Sequence, residues 1–278
     1  MRIAVIALGA MGAGVARRLH ARGADVAVTL AGRSPASAAR AAGLTAMDSE
    51  AALAGWADVV LSITPPGDAL GLAQRLAPVL AGRSVVFADC NAVSPETARQ
   101  IAGALPGIDF VDIGIIGMPP KADGPGPRLY ASGDRAPDLL ELRDHGIDLR
   151  PIDGGVGAAS ALKMSYAGIT KGLVAIGSAM ALGAARNGVA DALRDELAAS
   201  QPDLLGALER GVPDMFVKAY RWVAEMHEIA AFLGDIPAAP IYQGAAALYE
   251  AIAADAAAPQ PDGMVATLAA FYAKEPRP

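Results

Sequence analysis

Along the first half of the chain, short apolar runs alternate with segments of helical spacing. IAVIAL, DVAVTL, DVVLSIT, SVVFAD and IDFVDIGI are separated by stretches rich in alanine, leucine and arginine. Such alternation predicts a parallel sheet covered by helices, a doubly wound α/β domain. Turn signals fall between the runs: Arg22-Gly23-Ala24-Asp25 precedes the second, and Ser94-Pro95-Glu96 reads as an N-cap and first-turn proline opening a helix. One more strand, PRLYASG, is expected after the proline- and glycine-rich loop GMPPKADGPG. After Asp153-Gly154-Gly155 the strand pattern stops. From about Val156 onward nearly every segment reads as helix, first a long one through Ala185, then amphipathic pieces such as DMFVKAYRWVAEMHEIAAFL. AADAAAPQPDG is expected to form a loop between two terminal helices. No fixed-period repeat is present, and the pattern divides the chain into an α/β domain over residues 1–154 and an all-helical domain over 155–278.

Composition narrows the function classes. The chain has 278 residues, 53% hydrophobic and 19% charged, which is ample for a substantial core and argues against disorder. A formal charge of -6 offers no broad basic surface for nucleic acid. The single cysteine, Cys90, excludes an internal disulfide framework and a cysteine-rich zinc site, and fits a reducing cytoplasm. No metal site is expected. Met1-Arg2-Ile3 runs straight into the first apolar run with no small-residue cleavage site, so it is expected to be the mature end. The uncharged stretch from Gly172 to Ala185 is too short to span a bilayer, and a buried helix is expected there in place of a membrane anchor.

The chemistry starts at the first turn. Leu8-Gly9-Ala10-Met11-Gly12 follows the first strand and opens a helix, the context in which backbone N–H groups at a helix start bind a pyrophosphate. Gly9 permits close approach, and Gly12 lets the helix lie against the sheet. Ala7 stands where the G-x-G-x-x-G pattern has its first glycine. At the end of the second strand, where an NAD-binding chain usually offers an acidic residue to the ribose, this chain reads TLAGRS. Arg33 can pair with a 2′-phosphate and Ser34 can hydrogen-bond to it, which predicts NADP(H). The bland reading of Arg33 is a solvated residue at a helix start.

With ALGAMG at the glycine turn, SITPPGDA and DCNAVSP after later strands, and GGVGAASALKMSYAG opening the long helix, the chain resembles the β-hydroxyacid dehydrogenase superfamily. That superfamily contains 3-hydroxyisobutyrate and 6-phosphogluconate dehydrogenases. DIGIIGMPP and RWVAEMHEIAAFL look most like a branch with a divergent helical domain. The resemblance implies an N-terminal Rossmann domain, a helical domain that forms a homodimer, and a small-molecule substrate. It implies that Thr64 and Pro65 line the cofactor channel and that Asn91 lies beside the nicotinamide ribose. It makes Lys163, soon after a G-x-G, the catalytic candidate. From the residues alone, Asn91 could instead cap the next helix, and Lys163 could be a lysine snorkelling from an apolar helix face. Cys90 reads as a buried, inert thiol.

Three departures bear on substrate. The family's asparagine four residues after the lysine is Ala167 here, leaving Tyr166 at i+3, and Ser165, as replacement hydrogen-bonding groups. The serine of the family's Val-Ser-Gly-Gly loop falls at Ile116, followed by Gly117 and Met118, which favours a more apolar substrate. The family's second lysine aligns with Glu225, with Arg221 and His227 nearby. The leading expectation is an NADP-dependent oxidoreductase acting on a small β-hydroxy acid or related carbonyl compound. An imine reductase, or a nucleotide-binding sensor without turnover, are the alternatives.

Overall fold

The computed structural model describes every residue except Ala7, Arg33, Ala122, Asp123 and 274–278. The chain forms two compact units, Met1–Met164 and Ser165–Pro278.

In the first unit, β1 (Arg2–Ile6), β2 (Asp25–Thr29), β3 (Thr45–Met47), β4 (Val59–Ser62), β5 (Val86–Asp89), β6 (Asp109–Ile116), β7 (Arg128–Ser132) and β8 (Asp148–Pro151) form one sheet. Their order is β3-β2-β1-β4-β5-β6-β7-β8, parallel throughout except for the β6–β7 pair. Helices α1 (Ala10–Ala21), α2 (Pro35–Arg40), α3 (Glu50–Trp56), α4 (Pro66–Leu80) and α5 (Pro95–Gly103) connect the first six strands. Alternate residues of each strand face opposite sides, and both sides are dry. Ile3, Val5, Leu61, Val111 and Ile113 pack in a core with Val15 and Leu19 of α1. Ala4, Ile6, Val60, Phe87 and Phe110 pack in another with Leu53, Leu72, Leu76 and Ile101.

Two edge strands and a 3₁₀ helix (Ala136–Arg143) escape the apolar pattern. β3 is three half-buried or exposed residues, and β8 carries Asp148 and Arg150, ion-paired at 2.9 Å. Edge strands bury little, so their sequences carry little apolar signal.

The long helix α6 (Ala158–Arg186) begins within the first unit and continues into the second. Its first turns lie on β6: a Cβ at Gly114 would stand 2.6 Å from the Ala159 carbonyl oxygen and 3.1 Å from Lys163 Cβ. No side chain larger than hydrogen fits there. The whole helix, at 29 residues, is long and apolar enough to cross a membrane, unlike the shorter uncharged stretch considered alone. Yet Lys171, near its middle, is ion-paired with Glu225, and 44% of its most apolar window is buried within the protein. Its middle is anchored by contacts within the protein.

In the second unit the rest of α6 is followed by α7 (Ala190–Ser200), α8 (Pro202–Phe216), α9 (Ala219–Leu233), α10 (Ala239–Ala257) and α11 (Met264–Phe271), and it touches α8, α9 and α10. The expected AADAAAPQPDG loop is shorter than the composition implies, because α10 continues through Ala257. Alanines there sustain helix where a Pro/Gly-containing stretch reads as loop. The small residues of α6 face inward: Gly168 and Gly172 lie against Tyr242, and Gly177 against Leu208. Tyr166, Ile169, Leu173, Ile176 and Met180, spaced three and four apart, form an exposed apolar stripe, with Ile169 71% and Met180 60% exposed.

Candidate nucleotide site and active site

β1 and β4 are neighbours, and the connections that leave their C-terminal ends run in opposite directions, from β1 to β2 and from β4 to β5. Such a switch point is where open α/β sheets bind ligands. The glycine turn stands on one side of it and the Ile63–Thr64 turn on the other, with the Ile63 amide donating to the Ile6 carbonyl at 3.1 Å. Gly9 is the N-cap of α1, with φ −62° and ψ 179° and no side chain capping the first turn. A Cβ on Gly9 would meet nothing within 4 Å. Uncapped N–H groups below open space fit the pyrophosphate of a dinucleotide. Ala10 is exposed, Met11 half-buried, and Leu8 and Gly12 are buried. A residue the sequence pattern left out makes the tighter contact: a Cβ at Gly14 would stand 2.9 Å from Pro120 Cδ.

Across the switch point, Thr64, Asn91, Ser62 and Asp89 form one hydrogen-bonded group. Asn91 Oδ1 accepts from the Thr64 amide at 2.6 Å and from its hydroxyl at 3.2 Å. Asn91 Nδ2 donates to Ser62 Oγ at 3.0 Å and to Asp89 Oδ1 at 2.5 Å. An asparagine side chain has two acceptor and two donor positions, and here all four are used within the protein. Asn91, 3% exposed, is therefore a buried tie between the ends of β4 and β5. The helix-cap reading is corrected: Ser94 caps α5, accepting from the Thr97 amide at 3.2 Å. Pro65 is exposed at the N-cap of α4. Cys90 is buried, which pushes its thiol well above the usual range.

Ser34 caps α2, its hydroxyl accepting from the Ser37 amide at 3.3 Å, so its hydroxyl already serves the helix start. Arg33 lies outside the described residues. Arg40, at the end of α2, reaches the turn itself and donates to the Leu8 carbonyl at 3.4 Å.

Lys163 is half-buried and belongs to the first unit, held over Gly114 near the C-terminal end of β6. The residue that fixes it there is Asp112, which is not one of the site residues expected from the sequence. Asp112 is fully buried in β6; its Oδ2 accepts from the amides of Gly157 and Ser160, each at 3.0 Å, and its Oδ1 from Ser160 Oγ at 2.7 Å. Ser132 Oγ donates to it at 3.2 Å and accepts from the Ala159 amide at 2.9 Å. The legible signal is a carboxylate inside an otherwise apolar strand, FVDIGI, together with Ser160 in the first helical turn. Beyond Gly114, Ile116 is buried, Gly117 takes φ +130° close to Pro127, and Met118 is 62% exposed.

Tyr166 and Glu225 belong to the second unit. Tyr166 is 45% exposed. Glu225 is corrected from a substrate contact to an internal one: it pairs with Lys171, both largely buried, and Lys171 also stands over the Trp222 ring at 5.0 Å. Arg221 is exposed and stacks on Tyr220 at 5.7 Å, and His227 is exposed.

Residues 2–137 match the family described as the NAD binding domain of 6-phosphogluconate dehydrogenase. The N-terminal unit belongs to that family. Residues 184–252 of this 6-phosphogluconate dehydrogenase-like chain match a second family, the domain of unknown function DUF1932. The pair bears out the resemblance to the β-hydroxyacid dehydrogenase superfamily, in a branch with its own helical domain. An uncharacterised 28.5 kDa protein of Methanothermus fervidus is 34% identical over 119 residues, 43% of this chain and 45% of that protein. The match thus spans less than half the length of that curated relative. A conserved protein of unknown function, structurally similar to 3-hydroxyacid dehydrogenases, is 28% identical over 92% of this chain and 98% of its own, with a TM-score of 0.71. Two more distant structures share the fold. A 3-hydroxyisobutyrate dehydrogenase of Mycobacterium tuberculosis is 21% identical over 98% of this chain and 99% of its own (TM-score 0.71). An imine reductase variant of Myxococcus stipitatus, in complex with NAD+, is 20% identical over 97% and 98% (TM-score 0.58).

The acid–base state of Asp89 gives a direct test of this geometry. Burial, with the Asp112 charge beside it, raises its pKa from 3.8 to about 7. Between those values the folded state holds a proton that the unfolded state has lost, so stability falls as pH rises through the window and levels off above it. Asp89→Asn keeps an acceptor for Asn91 and has no proton to lose. Denaturant unfolding should show wild type losing stability relative to Asp89→Asn from pH 3.8 to about 7. A difference that is flat with pH, or that grows in the other direction, contradicts the buried carboxyl.

Proposed function

We propose that the protein is an NADP(H)-dependent oxidoreductase that moves a hydride between the nicotinamide and a small β-hydroxy acid or related carbonyl compound. The observation that carries this reading is Lys163, held on the sheet at Gly114, in the same unit as a glycine turn whose uncapped helix start opens on free space. When bound, the nicotinamide gives or takes the hydride. The chain does the rest. The first turn of α1 binds phosphate through its N–H groups, and Thr64 is held at the switch point by Asn91. The ammonium of Lys163 gives a proton to the substrate oxygen in reduction and recovers it in oxidation, and the hydroxyl of Tyr166, on the same helix, is a second proton-bearing group. The preference for NADP(H) rests on Arg33 in the TLAGRS stretch, with no carboxylate there to repel a 2′-phosphate.

A second reading, imine reduction, is favoured by one feature. Ile116, Gly117 and Met118 put no hydroxyl where a substrate carboxylate would need one, so an apolar amine precursor suits that loop. We place the protein in the cytoplasm, a setting supported by its single buried thiol.

The stripe of Tyr166, Ile169, Leu173, Ile176 and Met180 is the surface by which we propose two copies pair. Light scattering should give twice the mass of the chain, and Ile169→Glu with Ile176→Glu should yield a folded monomer. A wild-type monomer at micromolar concentration overturns the pairing.

Absorbance assays with NADPH or NADH and separate panels of keto acids, aldehydes and cyclic imines test the chemistry. Turnover is expected with NADPH and a carbonyl substrate, and Lys163→Met should lower it roughly 100-fold or more while NADPH affinity changes little. Turnover of imines alone, with Tyr166→Phe inactive and Lys163→Met active, moves the second reading ahead. A preference for NADH overturns the cofactor assignment, and tight binding without turnover of anything identifies a sensor.

A further inference from the structure

Ser62, Asp89, Asp112 and Ser132 are register partners across β4, β5, β6 and β7, and all four are fully buried. They form a polar line through an otherwise apolar sheet, one row below the ligand-binding edge. Asp112 and Ser132 hold the start of α6. Asp89 is fully buried, and its hydrogen bonding among the described residues goes to Asn91. Its Oδ1 receives the Asn91 amide at 2.5 Å, while its Oδ2 is buried without a hydrogen-bond partner. A carboxyl group placed in a dry sheet and half satisfied is costly, so its contacts with Asn91, through the side-chain amide and the backbone N–H, are what the position provides.

That contact decides which way Asn91 faces. The Thr64 amide can only donate, so the atom of Asn91 opposite it must be the oxygen. Turning the side chain over would set its NH₂ against the Thr64 N–H and its oxygen against Asp89 Oδ1, replacing two attractive pairs with two repulsive ones. An acceptor at position 89 therefore locks the amide from one end, and Thr64 is held from the other.

We infer that Asp89 is a positioning residue: through the amide of Asn91 it sets the backbone of Thr64 at the switch point between β1 and β4, and so the shape of the nucleotide site. The inference rests on the reading of that edge as a nicotinamide nucleotide site, but the tie itself exists without ligand. Two titratable groups lie beside Asp89: Asp112 faces it from β6, and Cys90 follows it in the chain. Burial and then Asp112 push Asp89 upward, to about 7, so near neutral pH the acid and the carboxylate are both populated, and each offers an oxygen that receives the Asn91 amide. Asn at position 89 reproduces that acceptor, whereas Leu removes it.

Hydrogen exchange of the Thr64 amide in the ligand-free protein reads the tie, and NADPH titration reads its consequence. Wild type and Asp89→Asn should protect Thr64 equally, and Asp89→Leu, still cooperatively folded, should exchange it roughly ten-fold faster or more. NADPH should bind Asp89→Leu roughly ten-fold more weakly than wild type, with Asp89→Asn restoring affinity. In an Asn91→Ala background, Asp89→Leu should add no further loss, because both act through one amide. Unchanged Thr64 protection in folded Asp89→Leu overturns the inference, as do additive losses or failure of Asp89→Asn to rescue. If Asp89→Leu will not fold, Asp89→Asn against Asn91→Ala decides: equal Thr64 exposure in both overturns it. Altered Thr64 exchange in a protein that binds neither NADPH nor NADH supports the tie and overturns the nucleotide reading.

Discussion

The rest of the candidate site's geometry depends on one buried carboxylate. Asp112 has no cationic partner among the described residues; it is satisfied by two hydroxyls and two backbone amides, and those amides belong to the start of α6. A helix start brings N–H groups that need acceptors, and a buried carboxylate needs donors. Each solves the other's problem. Because the two meet inside the sheet, the first turns of α6 are tied to β6 with little freedom, and Gly114 removes the only side chain that would keep them apart. Lys163 stands where it does as a consequence.

The same logic runs along the polar row. Asp112 orders a helix, Ser132 supports that helix, and Asp89 with Ser62 orders Asn91. Strand residues one position away point to the opposite face and fill one core, and those two positions back, Val60, Phe87 and Phe110, fill the other. Register turns a line of four buried polar groups into two separate anchors, one for the lysine-bearing helix and one for the turn after β4. Both anchors act just below the edge at which a doubly wound sheet binds ligands.

Much of this was legible in the residues. The strands of the sheet's centre follow from unbroken β-branched runs, and the glycine turn from its place between the first strand and helix. Edge strands β3 and β8 were not legible, since solvent-facing strands lack an apolar signature. Asn91 was legible as a polar residue at a strand end, but its saturation by Thr64, Ser62 and Asp89 follows only from strands brought together in space. Glu225 aligned with a substrate-binding position, yet its partner Lys171 lies 54 residues away, a distance no local pattern spans. Ser34, read from the sequence as a contact for a 2′-phosphate, caps α2, a role that a hydroxyl before Pro35 also fits.

The central claim is that a dinucleotide lies over the start of α1. Gly9 allows it to be tested without disturbing the fold, because its φ of −62° suits any L-residue and the space above it is empty. Calorimetric titration of NADPH into Gly9→Val should show affinity lowered roughly 100-fold or more, with the thermal midpoint of the ligand-free protein unchanged, since the new side chain would stand between the phosphates and the amides that bind them. Unaltered NADPH affinity in that variant would contradict the account.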